Sequence, residues 1–143
     1  MTKNDNTLQL IDLLSNVLSY LLELKKRGKY QQGIELIDET LQNYLEFNKS
    51  KINVLSEQFL EEVYQNSDKL TYEVVNLIGD LLNEKGELLY SQNKLNESKE
   101  ILENALSIYF FLNDQQDFYS FERMNKMVMI NNTLSRIDLQ IQK

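Results

Sequence analysis

Proline, cysteine, histidine and tryptophan are all absent from these 143 residues, and alanine occurs once, as Ala105. Without proline nothing breaks a helix outright. With glycine confined to Gly28, Gly33, Gly79 and Gly86, the tight turns of a β protein lack their usual residues. The missing cysteine excludes disulfides and thiolate chemistry. The missing histidine excludes in addition the Cys/His zinc sites and the Glu-x-x-His pairs of ferritin-like metal centres. An enzyme would have to work with carboxylates, Tyr, Ser or Lys alone, because the commonest acid–base and nucleophilic groups are not there. We therefore expect no catalysis, no metal and no cofactor. Positive charge is also in short supply: 15 Lys and Arg stand against 22 Asp and Glu, a net charge of −7. Nucleic-acid binding relies on many cationic contacts to phosphate, so it is not expected either.

Long apolar runs are missing too. The most apolar stretch, residues 8–24, is interrupted at helical spacing by Gln9, Asp12, Asn16 and Glu23, which makes it a core helix and not a membrane span. The first residues carry Asp5 where a secretory signal would be basic, and no small-residue cleavage site follows, so a cytoplasmic location is expected. What remains is a chain of ordinary globular composition, with 42% hydrophobic and 26% charged residues, long enough for one compact domain.

The apolar positions recur at spacings of three and four. Asp5 or Asn6 caps a helix from about Thr7 that carries Leu10, Leu13, Leu14, Val17, Leu21 and Leu24 and stops at Gly28. A second helix carries Tyr30, Ile34, Ile37, Leu41 and Leu45, so residues 7–47 read as a helical hairpin with a very short turn. Residues 51–66 read as an irregular unit with one shorter helix. Residues 69–112 form a second hairpin, on Leu70, Val74, Leu77, Ile78, Leu81, Leu82, Leu88 and Leu89 and then on residues from Leu95 onward. Residues 118–140 form a last helix that caps the end of the stack.

Residues 27–41 align with residues 92–106 without gaps. Gly28 then faces Asn93, the two residue types that most readily enter the left-handed conformation just past a helix end. Gly33 faces Ser98 and Thr40 faces Ala105, small residues where helices approach closely, while Tyr30/Leu95, Ile37/Leu102 and Leu41/Leu106 fill the space between. On these residues the chain resembles the tetratricopeptide repeat, a helix-turn-helix of about 34 residues. Gly86, Leu89, Asn93, Leu95, Ser98, Leu102 and Ala105 match its signature in order, and Val17, Leu24, Gly28, Tyr30, Gly33, Ile37 and Thr40 match it in the first hairpin. Two departures stand out: the matched units lie 65 residues apart, and Leu21 occupies a position that should be small. The Lys-x-Gly-Lys-Tyr segment at 26–30 and the Ser-Phe-Glu-Arg segment at 120–123 are similar to those of an uncharacterised family of small bacterial tetratricopeptide-like proteins with no assigned activity. The resemblance implies an all-α, right-handed tetratricopeptide-like solenoid of antiparallel hairpins, about six helices in all.

In such a fold the first helix of each pair lines a concave groove. The positions facing it would be Leu18, Leu22, Lys25 and Lys26 in the first hairpin and Asp80, Asn83, Glu87 and Tyr90 in the second. Apolar, basic and amide groups together suit an extended peptide or a partner helix. Against this, Leu18 and Leu22 are what an ordinary core stripe looks like, and Lys25, Lys26, Arg27 and Lys29 suit the negative end of a helix dipole as well as they suit an anionic ligand. Glu84/Glu87 and Glu97/Glu100 have the spacing of a solvated helix face. In the last helix Phe118, Tyr119, Phe121, Met124, Met127 and Met129 exceed what one buried face can hide, which points to self-association through Phe121, Met124 and Met127. The expectation is a non-enzymatic protein-interaction module that binds a peptide or partner helix in its groove or forms a homodimer through its last helix. A small-molecule or peptide sensor is the alternative, and a carboxylate-based enzyme a more remote one.

Overall fold

The computed structural model describes residues 3–44, 69–114 and 120–142. They form five helices and no strand: α1 (Lys3–Lys26), α2 (Tyr30–Tyr44), α3 (Lys69–Ser91), α4 (Leu95–Asn113) and α5 (Phe121–Ile141). The protein is therefore all-helical over these residues. The expected irregular unit at 51–66 lies outside the described residues, as do residues 45–47, 118 and 119. None of the five helices is long and apolar enough to cross a membrane.

Two helix starts differ from the expectation. α1 begins at Lys3, so Asp5 and Asn6 lie inside its first turn and not at its N-cap. α5 begins at Phe121 and not at 118. Ser120 is extended there (φ −137°, ψ 119°), and its hydroxyl accepts from the Arg123 amide at 3.1 Å, which makes it the N-cap.

The two hairpin turns are built alike. After α1, the Lys29 amide donates to the Leu24 carbonyl at 2.9 Å and the Gly28 amide to the Lys25 carbonyl at 3.1 Å. After α3, Lys94 donates to Leu89 at 3.0 Å and Asn93 to Tyr90 at 2.9 Å, the same pair of bonds 65 residues on. This crossed pair is the Schellman closure, and it needs a left-handed residue. Gly28 (φ 71°) and Asn93 (φ 62°) supply it. Asn93 has the only positive φ of any non-glycine among the described residues.

α3 is the hub. α1, α2 and α4 pack on it, and α5 packs on α4. Every residue from Ile78 to Asn83 is buried, so this part of α3 has no solvent side. Close approach is set by glycines: a Cβ on Gly86 would fall 2.5 Å from Leu102 Cγ, and one on Gly33 would fall 2.9 Å from Leu88 Cδ1. Gly86 also accepts, through its carbonyl, a 2.7 Å bond from the Ser98 hydroxyl across the α3–α4 crossing. The large residue at position 21 is accommodated as an ordinary core side chain, at van der Waals distance from the Gly33 position. Leu21 is fully buried, and its Cδ2 would lie 3.5 Å from a Cβ at Gly33. A buried ion pair, Lys85 to Asp38 at 2.8 Å, ties α3 to α2.

Candidate functional site

Asp80, Asn83, Glu84 and Glu87 recur at spacings of three, one and three, which turns them to one side of α3. α1 brings Leu18, Leu22 and Lys25 to the same side by the same arithmetic, and α5 brings Arg123 and Lys126. Leu18, Leu22, Asp80, Asn83, Glu84 and Lys126 line a cleft of about 230 Å³. Leu18 is half-buried and Leu22 is 53% exposed, so neither is a closed core position.

Most of the charges in and around the cleft have partners. Asp80 Oδ1 accepts from the Tyr109 hydroxyl at 2.5 Å and from Lys126 Nζ at 3.0 Å. Burial, then the adjacent Asp80 charge and the hydrogen bond to it, hold the Tyr109 hydroxyl protonated far above the ordinary tyrosine range. Arg123 donates through Nε to Asn113 Oδ1 at 2.8 Å and through Nη1 to Asn76 Oδ1 at 3.1 Å. Lys25 Nζ lies 2.6 Å from Glu87 Oε2 and 3.7 Å from Glu84 Oε2. Burial alone would lower the Lys25 pKa, but the hydrogen bond to Glu87 and the charges of both glutamates outweigh it, so the ammonium is held above its ordinary value. Glu84 is displaced upward, by burial first and the nearby Glu87 charge second, against the pull of Lys25 and Lys126. One buried polar atom on this side has no partner: Asn83 Oδ1, on a side chain 8% exposed.

The expected groove residues therefore divide. Leu18, Leu22, Asp80 and Asn83 meet at the cleft. Lys25 and Glu87 stand beside it, bonded to each other, so Lys25 is not available to an anionic ligand. Tyr90 lies apart, its hydroxyl accepting from Gln140 at 3.2 Å, and Lys26 is exposed at the end of α1. An apolar pocket with Lys25, Asn83 and Tyr90 converging on it is not what forms; of the three only Asn83 lines the cleft.

The proposed self-association residues also divide. Phe121 is 72% exposed and Met124 sits at the surface, but Met127 is 5% exposed and belongs to the core. The reason is angular: Met127 falls on the side of α5 that carries Ile130 and Ile137, which pack inward. The thioethers of Met124 and Met127 both accept from Asn113 Nδ2, at 2.9 and 3.0 Å, fastening α5 to the end of α4.

Glu84, Tyr109, Arg123 and Lys126 were not singled out by sequence reasoning as groove residues. Glu84 carries a signal, since it sits between Asn83 and Glu87 on the expected face. The other three carry none, because their contribution depends on how α4 and α5 are rotated against α3. No group of three or more carboxylates among the described residues is placed to hold a metal ion. Comparison with protein-family models, with curated proteins and with solved structures returns no match.

Proposed function

We propose that this chain is a non-enzymatic helical-repeat module for protein–protein contact, a right-handed tetratricopeptide-like stack whose partner surface is the outer face of α5. The repeat reading draws on the identical Schellman turns at Gly28 and Asn93 and on the small-residue crossings that follow each of them. The contact surface draws on a single observation. Phe121, Val128 and Leu139 are exposed large apolar residues that fall, with Asn132, within about 20° of one line along α5, opposite its buried side. That line runs about 27 Å and carries no charge, in a chain of net charge −7.

A second copy of the chain fits this face. In an antiparallel pair about a two-fold axis near residue 130, Phe121 of one copy lies opposite Leu139 of the other, and Val128 lies opposite Asn132. Glu122 and Arg136 share one flank, so the two-fold brings each near the opposite charge of its twin. Two acidic copies repel, and this uncharged line is a face that adds nothing to the repulsion. One helix pair of this length is at the small end of specific interfaces, so the dimer is weak.

Light scattering across a concentration series tests the reading. The wild type should pass from monomer toward dimer at high micromolar concentration, and Phe121→Glu should stay monomeric with an unchanged helical spectrum. A wild type that is monomeric throughout would remove the self-pairing. A second reading, in which the groove receives a peptide, is favoured by the unpartnered Asn83 oxygen in the cleft.

A further inference from the structure

The chemistry of the cleft narrows what could enter it. Its rim and floor can be counted group by group. Lys126 is engaged by Asp80, whose one bonded oxygen already takes two donors. Lys25, at the edge, is engaged by Glu87, and Arg123 by two asparagine oxygens. No cation is left over to greet an anion. One acceptor is left over instead, and a second is only weakly engaged. Asn83 Oδ1 is buried and unbonded. Glu84 is held only loosely, by an ion pair from Lys25 Nζ to its Oε2 at 3.7 Å, while the same ammonium bonds Glu87 at 2.6 Å. Both line the cleft together with Leu18 and Leu22.

A buried acceptor without a donor costs roughly 1–3 kcal/mol, and a ligand that brings the donor recovers it. The lining carries Asp80 and Glu84 against Lys126, so it favours a positive donor over a neutral one, and the net charge of the chain adds to the attraction. The volume of about 230 Å³ is below the ~300–1,000 Å³ typical of sites for drug-sized molecules. It suits a single side chain or a small amine. The aliphatic stem of such a group is what Leu18 and Leu22 can cover.

We propose that the cleft between α1, α3 and α5 is a receptor for a protonated amine or guanidinium carried on an aliphatic stem, with Asn83 and Glu84 accepting its N–H groups and Leu18 and Leu22 packing its carbons. The proposal rests on the groove reading and not on the α5 pairing, because Lys126 faces the cleft while Phe121, Val128 and Leu139 face away from it. The ligand group can come from a lysine or arginine of a partner peptide or from a free alkylamine.

Amide-resolved NMR titration of the full chain tests it with three capped tripeptides, Leu-Lys-Leu, Leu-norleucine-Leu and Leu-Glu-Leu, and with n-butylammonium. The lysine peptide should shift the Asn83 side-chain amide and the backbone around residues 18–22 and 80–84; the norleucine and glutamate peptides should not. If n-butylammonium shifts the same resonances as strongly, the amine alone is the ligand group; if only the peptide does, flanking residues contribute. Equal binding of the lysine and norleucine peptides overturns the proposal, and so do shifts confined to other parts of the chain. Glu84→Gln should weaken the lysine peptide by about ten- to a hundredfold, and Asn83→Asp should tighten it; a folded Glu84→Gln variant that binds as the wild type does also overturns it. The peptide comparison needs no variant, so it decides even if one fails to fold. A protein that stays monomeric yet binds the lysine peptide removes the α5 pairing and keeps the receptor, and the converse result does the reverse.

Discussion

Gly86 can be used to weigh how closely α3 and α4 pack. A methyl group there would fall 2.5 Å from Leu102 Cγ and nearer still to Cδ2, and Leu102 is fully buried. Because the clash includes the branch carbon and not only a movable tip, Leu102 cannot simply rotate away. Overpacking of this kind costs about 1–3 kcal/mol. Replacing a mid-helix glycine by alanine gives back about 0.5–1 kcal/mol. Gly86→Ala should therefore destabilise by about 1–2 kcal/mol, lowering Tm by about 3–8 °C for a chain of this length. Leu102→Ala alone should cost about 2–5 kcal/mol. In that background the new methyl group enters vacated space and only the propensity gain remains, so Gly86→Ala should become stabilising by about 0.5–1 kcal/mol. The sign reversal implies a coupling of about 1.5–3 kcal/mol between the two positions. Urea denaturation of the four proteins, followed by far-UV circular dichroism, measures it. A Gly86→Ala effect of the same sign in both backgrounds would refute the close crossing.

The buried Lys85–Asp38 pair, with side chains 10% and 7% exposed, should cost about 3–5 kcal/mol when Asp38→Ala strands the lysine. Lys25→Ala at the more exposed pair with Glu87 should cost under about 1 kcal/mol, and urea midpoints compare the two. Glu84 has its folded-state pKa raised above the ordinary 4.5, so the fold is stabler when Glu84 is protonated, and that advantage is lost as pH rises through the folded value. Glu84→Gln should consequently gain on the wild type at neutral pH, the gain shrinking as pH falls through the raised folded value and closed below about 4.5; urea midpoints at several pH values follow it. Ser120→Ala should remove the α5 cap at a cost of about 1 kcal/mol, read as a lower Tm and faster hydrogen exchange in the first turn of α5.

The helices were legible because helix formation is local. The spacing of Leu10, Leu14, Val17, Leu21 and Leu24, the lack of proline and the repeated turn at Gly28 and Asn93 act within a few residues of one another, so the sequence alone determined an all-helical chain with two matched turns. The ends of elements were less legible, since Asp5 and Ser120 both carry cap chemistry and only Ser120 has the extended backbone that uses it. The groove positions Leu18, Leu22, Asp80 and Asn83 could be placed on helix faces by counting. Whether they met was for the tertiary structure to decide. It decided three things that no spacing encodes. Gly33 meets Leu88 too closely for any side chain, Met127 is buried while Phe121 is not, and Lys25, Lys126 and Arg123 are so well bonded that the cleft offers acceptors instead of cations. Each depends on the rotation of one helix against another, set by which side chains interlock, and a difference of one residue in that rotation turns a helix by about 100°.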